Sequence, residues 1–316
     1  MTDLRKTRRT CVAIPTFRRS QELERLLTAI AILEVPLDCA LEVLVMDNDP
    51  MQSAAALVGR LALRFPFALE YRSVPQPGLS SVRNFALHHA RQGFEFLAMI
   101  DDDEIPQRQW LRELLRIEAA TGADAVVGAV PHVVPAQAPR WLRNGTFFDL
   151  PVHADGDLLN DGYSGNCLVR VSSIERYEIA FDPSLNFAGG EDLVFFRDFR
   201  RRGATIAYAA HAVASEPVTA DRLTAAYLIK LNFRRGNTLS LSDRKLNGAP
   251  RVLILRALKA AARIARGCVT IVPRALLDGR RGTVAAACDL AHGLGALGGL
   301  LGYTYRAYAR PGGASG

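Results

Sequence analysis

The sequence predicts an α/β fold in which a mostly parallel central sheet carries helices on both faces. Two observations support this prediction. Short, continuously apolar runs alternate with amphipathic segments through the first two hundred residues, and several of these runs end at proline or at acidic residues. Parallel strands covered on both faces are apolar throughout rather than alternating, because neither face meets water.

The predicted strands are short apolar runs, and each stops where the residue type changes. The first run, Cys11–Ile14, ends at Pro15, which cannot donate a hydrogen bond to a sheet. The second run, Leu41–Met46, ends at Asp47, and the fourth, Phe94–Ile100, is followed by four consecutive acids. The remaining predicted strands are Ala68–Arg72, Ala125–Val134, Cys167–Val171 and Ala204–Ala209.

The predicted helices lie between these strands and carry apolar residues at helical spacing. They are Gln21–Leu33, a segment after Pro50 that reaches about Arg64, Ser80–Arg91, Gln109–Thr121 and Asp192–Arg202. Strands that alternate with helices in this way are typical of βαβ units. Between residues 135 and 162 a segment rich in Pro, Gly and Asn has no clear periodicity. A loop of that length predicts contact with a ligand, or mobility.

The net charge of +7 is unevenly divided along the 316 residues. Residues 1–216 hold 23 Lys and Arg against 28 Asp and Glu (23 − 28 = −5), whereas residues 217–316 hold 16 against 4 (16 − 4 = +12). We predict a catalytic domain at 1–216, with halves of about 10–104 and 105–216, and a basic helical module at 217–316. This asymmetry indicates a polyanionic partner for the module, such as a membrane surface or a nucleic acid.

Composition excludes several classes of protein. With 49% hydrophobic and 22% charged residues, the chain is neither a low-complexity disordered protein nor a collagen-like repeat. Its five cysteines are scattered and form no C-x-x-C pair, which predicts neither a zinc site nor a disulfide framework and indicates a reducing compartment. No apolar signal core follows the basic N-terminus. The apolar tract Leu290–Tyr305 is interrupted by His292 and is shorter than the roughly 18 residues of a membrane span.

Acidic side chains follow two of the predicted strands at their carboxyl ends, where ligands bind in open α/β sheets. Asp47 and Asp49 follow the second strand, and Asp101–Glu104 follows the fourth. Adjacent carboxylates repel one another unless a cation lies among them, and Mg²⁺ or Mn²⁺ binds through one or two carboxylates plus substrate phosphates. The run therefore predicts a metal-bound diphosphate. The alternative is a solvated acidic turn that caps the helix beginning at Gln109.

A second acidic pair, Glu191 and Asp192, follows two glycines at the start of a predicted helix. A carboxylate positioned in this way can act as a general base, and Gly190 lets the backbone come close to a ligand. The alternative is helix capping, because acidic residues suit a helix N-terminus.

Trp141 and Asn166 have two open interpretations each. Trp141 would present its ring face to a ligand or fill a core, and Asn166 would donate a hydrogen bond to a ligand hydroxyl or serve a turn. Arg83 lies in a helical segment, and its position alone favours a surface residue.

Five motifs, in order along the chain, resemble the family 2 glycosyltransferases, which have the GT-A fold. The resemblance covers about residues 10–240, and its motifs are Pro15–Arg18, Asp47, Gly78–Asn84, Ile100–Asp103 and Gly189–Asp192. Within that family the chain looks closest to the succinoglycan-type exopolysaccharide glucosyltransferases. The features shared with them are Ala138–Trp141, Gly189–Phe196, Glu216–Val218 and Asn232–Gly236.

The resemblance implies an inverting transfer from a nucleotide-sugar donor, and it implies donor contacts for five residues. Pro15, Thr16 and Arg18 match the loop that lies along the nucleotide. Asp47 matches the acid that accepts from the uracil N–H. Arg83 matches the basic residue near the base and the phosphates.

The same resemblance implies the acids of the reaction. Asp101 matches the acid on the ribose side, with Asp102 beside it among the donor-binding residues, and Asp103 matches the ligand of Mn²⁺ or Mg²⁺. Asp192 matches the catalytic base, and Glu191 matches the residue that positions the acceptor. With a sugar as acceptor, Trp141 would stack on its ring, Asn166 would donate to one of its hydroxyls, and Gly190 would let the backbone come close to it.

Two positions depart from the family pattern. Asp47-Asn48-Asp49-Pro50 replaces the commoner Asp-Asn-x-Ser turn, and Ser215 stands where many relatives have a histidine before the glutamate that matches Glu216.

The basic module contains a stripe of cations. Arg256, Lys259, Arg263 and Arg266 are three, four and three residues apart and so share one helical face. A basic amphipathic helix predicts a position in a membrane interface, where each cation contributes about 1 kcal/mol near an anionic leaflet. The alternative is a helix packed on the catalytic domain with its cations in water. Nucleic acid fits less well, because no aromatic residues are interleaved as stacking platforms.

These observations and the resemblance together predict a metal-dependent, inverting hexosyltransferase. The expected donor is a UDP-sugar, UDP-glucose first, and the expected acceptor is a lipid-linked saccharide of bacterial exopolysaccharide biosynthesis. The expected location is peripheral on the inner face of the plasma membrane, with an anionic membrane surface and other polysaccharide-assembly proteins as partners and no nucleic acid.

Two other functions stay open at this stage. One is a nucleotidylyltransferase of related architecture, which would need a basic, Gly-rich signature near the first strand, where Pro15–Arg19 has no glycine. The other is a non-catalytic, membrane-bound adaptor, which the presence of both acidic clusters disfavours.

Overall fold

The computed structural model describes residues 7–306. Its strands are β1 Arg8–Thr16, β2 Cys39–Asp47, β3 Ala68–Ser73, β4 Phe96–Ile100, β5 Ile105–Pro106, β6 Ala125–Ala129, β7 His132–Val133, β8 Asn166–Arg170 and β9 Ile206–Pro217. Its α-helices are α1 Ser20–Ile30, α2 Ala55–Ala62, α3 Leu79–Ala90, α4 Trp110–Thr121, α5 Arg140–Arg143, α6 Val171–Arg176, α7 Glu191–Arg201, α8 Ala225–Asn247 and α9 Pro250–Leu300. Two 3₁₀ turns, Pro183–Leu185 and Ala220–Arg222, complete the elements.

The chain forms two compact units. The first contains residues 7–131, Leu150–Asn186 and Phe195–Glu216, and the second contains His132–Asp149, Phe187–Val194 and residues 217–306. The second unit thus takes two segments from within the predicted domain 1–216. That the chain divides into two independently folding domains between residues 216 and 217 stays a prediction.

The first unit is built on one mixed sheet with the strand order β3-β2-β1-β4-β8-β6-β9-β5. β1 pairs in parallel with β2 and β4, and β2 pairs in parallel with β3, as the continuous apolar runs predicted. β8 lies antiparallel between β4 and β6, and β6 pairs in parallel with β9. The α/β fold with a mostly parallel sheet is therefore confirmed, and β8 is the central antiparallel strand within it.

Both faces of this sheet are buried, which explains the apolar sequence of β1. Val12 and Ile14 belong to one core cluster, and Cys11 and Ala13 belong to the cluster on the opposite face. Successive strand residues point to opposite faces, so both sets must be apolar when helices cover both sides. One of these helices, α1, buries residues at the spacing i, i+3, i+4 and i+7, namely Leu23, Leu26, Leu27 and Ile30.

The second unit consists mainly of α8 and α9. The Thr224 hydroxyl caps α8 by accepting a hydrogen bond from the Tyr227 amide at 3.1 Å. α9 breaks at Gly279, whose φ of 57° and ψ of −132° are not helical, and its second limb returns along the first. Glycines allow this close packing, because a Cβ at Gly293 would lie 2.8 Å from the Ala260 carbonyl oxygen.

Within residues 7–306, no helix is both long enough and apolar enough to span a membrane. All five cysteines are free thiols.

Candidate active site

The acidic run Asp101–Glu104 forms a tight turn directly after β4. The Glu104 amide donates to the Asp101 carbonyl at 3.1 Å, and the Asp101 amide donates to the Gly165 carbonyl at 3.2 Å. The neighbouring strand β1 ends at Thr16 on the same side, because β1 and β4 are parallel. The carboxyl ends of two central strands therefore bring Thr16 and the acidic turn together, as the sequence predicted.

Asp102 lies inside this turn and holds it to the end of β1. Its carboxylate accepts from the Thr16 hydroxyl at 2.8 Å and from the Arg19 guanidinium at 3.0 Å. Burial, together with the charges of Asp103 and Asp101, raises the pKa of Asp102 to about 7, while Arg19 acts in the opposite direction. Asp102 thus anchors the loop that follows β1. A direct contact between Asp102 and a nucleotide-sugar donor stays a prediction.

Arg19 is a functional candidate that the sequence analysis missed. One of its nitrogens, Nη1, lies 3.0 Å from Asp102 Oδ1 and 2.9 Å from Asp103 Oδ2. Its side chain is 45% exposed, so it faces the solvent side of the acidic turn. The sequence signal was its place three residues after β1. Its contact with both carboxylates could not be predicted, because it depends on how the chain folds around the turn.

Arg83 lies on α3 and pairs with Asp101. Its Nη2 atom is 3.1 Å from Asp101 Oδ1, and its guanidinium carbon lies 5.8 Å from the centre of the Phe181 ring. The Arg83 side chain is 6% exposed, so the surface interpretation from its position alone is wrong. Arg83 and Arg19 are thus two cations among the acids of the turn.

Glu104 is buried at the base of the turn, beside a glutamate from another strand. Antiparallel pairing of Ile105 with Ser215 places Glu104 near Glu216. Burial, followed by the charges of Asp101, Glu216 and Asp103, raises the pKa of Glu104 well above its usual value. Its Oε2 atom is buried and has no hydrogen-bond partner among residues 7–306. The sequence analysis gave neither glutamate a role, because their proximity depends on the register of β5 against β9.

The donor set of the turn fits a divalent cation. Asp101 and Asp103 supply carboxylate oxygens at a partly exposed edge, and the buried Glu104 Oε2 has no hydrogen-bond donor among the described residues. The glycine at 165 keeps the space between them open, because a Cβ there would lie 2.5 Å from Glu104 Oε1 and 3.1 Å from Asp101 Oδ2. One or two carboxylates with open positions suit Mg²⁺ or Mn²⁺ shared with a diphosphate.

A second acidic loop follows β2. Asp47 is fully buried, and its carboxylate accepts from the amides of Asp49 and Ala54, both at 2.9 Å, and from the Tyr71 hydroxyl at 3.1 Å. Burial and the neighbouring Asp47 raise the pKa of Tyr71 to about 12. Asp47 therefore organises its own loop. Its predicted contact with a uracil N–H stays a prediction.

The other predicted nucleotide-loop residues lie beside this loop. Pro15 is buried near the end of β1, and Arg18 follows it with a φ of 55°. The Arg18 guanidinium lies 3.2 Å from Asp49 Oδ1. Asn48 donates to the carbonyls of Val74 and Gln76 at 2.7 and 2.8 Å, so it fixes the chain ahead of α3.

A three-ligand cluster lies elsewhere on the same sheet. Among the described residues, Glu42, Glu70 and His89 present ligand atoms within 4.8 Å of one another. These residues lie on β2, β3 and α3, away from the acidic turn, and Arg72 pairs with Glu70. Arg72 therefore already neutralises part of the negative charge of this cluster.

Glu191 and Asp192 belong to the second unit and open α7. Glu191 is buried, and Asp192 is partly exposed and accepts from the Leu193 amide at 2.7 Å. Gly190 has a φ of 84°, and a Cβ at this position would overlap the Thr238 side chain. The glycine thus lets α8 approach the start of α7 closely. The base and acceptor roles of these residues stay predictions.

Trp141 packs inside the second unit. Its ring lies edge-on to Phe147 at a centroid distance of 5.7 Å, and the Arg280 guanidinium carbon lies 5.0 Å from its centre. Its indole nitrogen is buried without a hydrogen-bond partner among residues 7–306. The core interpretation therefore has structural support, and stacking on an acceptor sugar stays a prediction.

Asn166 has a different environment from the one that the sequence suggested. The side chain is fully buried, and its oxygen accepts from the Trp110 indole at 2.7 Å. Its amide nitrogen donates to the carbonyls of Ala129 and Ala212 at 3.0 and 2.8 Å. Both amide hydrogens are therefore used within the first unit, so we remove Asn166 from the candidate acceptor residues.

Comparison with known proteins gives the family. The family described as "Glycosyl transferase family 2" matches residues 11–178. The chain is 39% identical to the succinoglycan biosynthesis protein ExoM of Rhizobium meliloti (strain 1021) over 228 residues, which is 72% of this chain and 72% of ExoM.

Two solved structures have a similar fold at low sequence identity. The mannosyltransferase PcManGT from Pyrobaculum calidifontis, in complex with GDP-Man and Mn²⁺, has a TM-score of 0.61 at 20% identity, over 91% of this chain and 86% of that one. S. aureus TarS residues 1–349, in complex with UDP-GlcNAc, has a TM-score of 0.53 at 13% identity, over 94% and 93%. Against a longer TarS structure, the chain spans 55% of that protein.

The predicted resemblance is therefore confirmed, both by the family match and by the extent of the identity with ExoM. The chain belongs to glycosyltransferase family 2 and is a glycosyltransferase with the GT-A fold.

Proposed function

We propose that this glycosyltransferase moves a hexose from a UDP-sugar, UDP-glucose first, to a lipid-linked saccharide, with inversion at the anomeric carbon. The product would be a β-linked saccharide of bacterial exopolysaccharide biosynthesis, made at the inner face of the plasma membrane. The single observation that carries the proposal is the acidic turn Asp101–Glu104, which is held between Arg19 and Arg83 at the carboxyl end of β4.

The relatives support the donor and the pathway. ExoM, which is 39% identical over most of its length, is a succinoglycan biosynthesis protein. TarS has been solved with UDP and with UDP-GlcNAc, and PcManGT with GDP-Man and Mn²⁺. These complexes support a nucleotide-sugar donor, and the identity to ExoM favours a role in exopolysaccharide assembly.

In this proposal the first unit binds the leaving group. Asp103, with Asp101 beside it, would hold Mn²⁺ or Mg²⁺, and the bound cation would supply Lewis-acid stabilisation of the charge on the departing diphosphate. Arg83 keeps the Asp101 carboxylate in place through their ion pair at 3.1 Å. Asp102 fixes the loop of Thr16 and Arg19 against the turn.

The acceptor side of the proposal depends on Asp192. An inverting transfer needs a base that removes the proton from the acceptor hydroxyl as its oxygen attacks the anomeric carbon. Asp192 is partly exposed at the start of α7, and a carboxylate in that role contributes roughly 10²–10⁴-fold to the rate. Glu191 and Gly190 would position the acceptor.

The proposal is tested by measuring UDP release from a panel of donors. Full-length chain is mixed with UDP-glucose, UDP-galactose, UDP-GlcNAc or GDP-mannose, with and without Mn²⁺ and a lipid-linked acceptor extract. We expect acceptor- and Mn²⁺-dependent release of UDP from a UDP-hexose, with a product heavier by one hexose. Turnover with GDP-mannose and with none of the UDP-sugars would contradict the proposed donor.

A further inference from the structure

The first limb of α9, residues 250–278, has an unusual charge pattern. It contains no acidic residue before Asp278, although Arg and Lys recur along it. Because its faces meet different surroundings, the position of each cation around the helix decides what the limb can bind.

Three of the four cations in the predicted stripe have acidic partners within the second unit. The Arg256 Nε atom lies 2.6 Å from Asp243 of α8. Asp289, on the second limb of α9, pairs with Arg266 and lies 3.9 Å from the Arg263 Nε atom. Arg256, Arg263 and Arg266 therefore bind acidic residues of neighbouring helical segments. That this stripe faces a membrane stays a prediction.

The face of the limb that points to solvent is apolar. Ile254, Leu258, Val269, Val272 and Leu276 are 60%, 63%, 73%, 63% and 82% exposed. With the exposed alanines at 261 and 265, they follow a spacing of three or four residues over more than five helical turns. We call these seven residues the outer stripe. Water-exposed apolar side chains in a continuous row mark an interaction surface rather than random exposure.

Exposed cations border the outer stripe. Arg251 lies at its beginning and Lys259 lies along one edge, and both are exposed. Arg266 lies on the same edge but is paired with Asp289. Acidic residues are absent from this part of the sequence until Asp278. An apolar stripe bordered by cations fits the interface of an anionic membrane, where a layer of anionic headgroups covers the apolar acyl chains.

We propose that the outer stripe of α9 lies in the interfacial layer of an anionic membrane, with Arg251 and Lys259 against the lipid headgroups. A second copy of the chain fits less well, because two such stripes in contact would bring cations of the same sign together. The purpose of the surface, to keep the enzyme beside a lipid-linked acceptor, rests on the proposed function. Membrane binding itself needs neither donor nor acceptor.

The experiment measures co-sedimentation of the full chain with vesicles of phosphatidylcholine alone or with phosphatidylglycerol added. We expect binding to the anionic vesicles that is at least tenfold tighter than to the neutral ones and that weakens with salt. The variant Leu258→Glu/Val272→Glu should lose at least tenfold in affinity. The uncharged variant Leu258→Gln/Val272→Gln should lose affinity as well, which separates apolar insertion from charge repulsion.

The matched control is Leu37→Glu/Leu63→Glu, which makes the same chemical change at two exposed leucines of the first unit. It should bind vesicles within twofold of the wild type, and circular dichroism should show that all variants keep their helices. Unchanged vesicle binding by both outer-stripe variants would overturn the proposal. So would a wild-type dimer that these variants convert to a monomer, without vesicle binding by either form.

The two proposals fail separately. Vesicle binding without sugar transfer would contradict the proposed function and leave the membrane surface standing. Sugar transfer to an acceptor in detergent, with no vesicle binding, would support the proposed function and contradict the membrane surface.

Discussion

Arg83 and Asp101 form an ion pair between a helix and the end of the central strand, with 3.1 Å between Nη2 and Oδ1. The arginine is almost completely buried, whereas the carboxylate is 36% exposed. A buried guanidinium therefore orients an acid that still reaches solvent. This relationship explains how a carboxylate at a crowded, acidic turn can keep one position before any donor or cation binds.

Replacement of Arg83 by methionine should weaken UDP binding at least tenfold. The change removes one partner of Asp101 and adds to the repulsion among the acids of the turn. It should also lower the melting temperature, because the acids of the turn then repel one another without the buried guanidinium among them. Isothermal titration with UDP and Mn²⁺ gives the affinity. Arg91→Met, at the exposed end of the same helix, is the control and should behave like the wild type.

Two aspartate substitutions should separate cation binding from base catalysis. Asp192→Asn should keep the affinity for UDP and Mn²⁺ and should lower the transfer rate by roughly 10²–10⁴-fold. Asp103→Asn should lose Mn²⁺-dependent UDP binding, because an amide is a poorer ligand for a hard cation than a carboxylate. Asp198→Asn, further along α7, controls for the change of charge. Unimpaired turnover by Asp192→Asn would show that another group is the base.

Part of this site could be predicted from the sequence, and part could not. The apolar run before Asp101 located the acidic turn, because a strand with both faces buried leaves its polar residues at its end. The position of Glu216 beside Glu104 could not be predicted, since it depends on the pairing of Ile105 with Ser215 across more than a hundred residues. The burial of Arg83 depends on its tertiary contact with Phe181 in the same way.

The basic module shows the same limit. Helical spacing placed Arg256 and Arg263 on one face correctly, but the sequence did not show what that face meets. Asp243 lies on α8, which meets α9 across the turn between Asn247 and Pro250. Asp289 lies on the second limb of α9, which meets the first because α9 breaks at Gly279. Spacing within one helix therefore identifies a face, and only packing shows where it points.

Gly295→Ala should destabilise the second unit by about 1–3 kcal/mol, because a Cβ there would overlap the Phe233 carbonyl of α8. The matched substitution Gly298→Ala meets only ordinary contacts, the nearest at 3.5 Å from Tyr303. It should be neutral or stabilising by up to about 1 kcal/mol, since alanine favours a helix over glycine. Urea unfolding of the two variants measures the difference. Equal stabilities would contradict the close packing of α8 and α9.

The stability of the chain should fall in mild acid through His292. Burial, with the charges of Arg263, Arg256 and Arg235, lowers the pKa of His292 to about 4 from 6.5. Between these pH values the unfolded chain binds more protons than the folded one, so the free energy of unfolding falls as the pH falls. Between pH 7.5 and pH 5 the loss through this histidine should be about 1–2 kcal/mol, because the ring keeps some solvent contact.

Urea titrations at the two pH values, compared between the wild type and His292→Gln, measure this contribution. The variant should lose less stability in acid than the wild type. His88→Gln, at an exposed histidine on α3, should change nothing. Identical acid sensitivity of the wild type and His292→Gln would show that other groups cause the loss.

The central claim is that the acidic turn serves transfer of a hexose from a UDP-sugar to a lipid-linked acceptor. Its most direct test is the mass of the acceptor after incubation with UDP-glucose, with Mn²⁺ present or chelated. The account predicts an acceptor heavier by one hexose when Mn²⁺ is present, none after chelation, and none with Asp103→Asn. The same product formed equally well by Asp103→Asn in the presence of a chelator would contradict it.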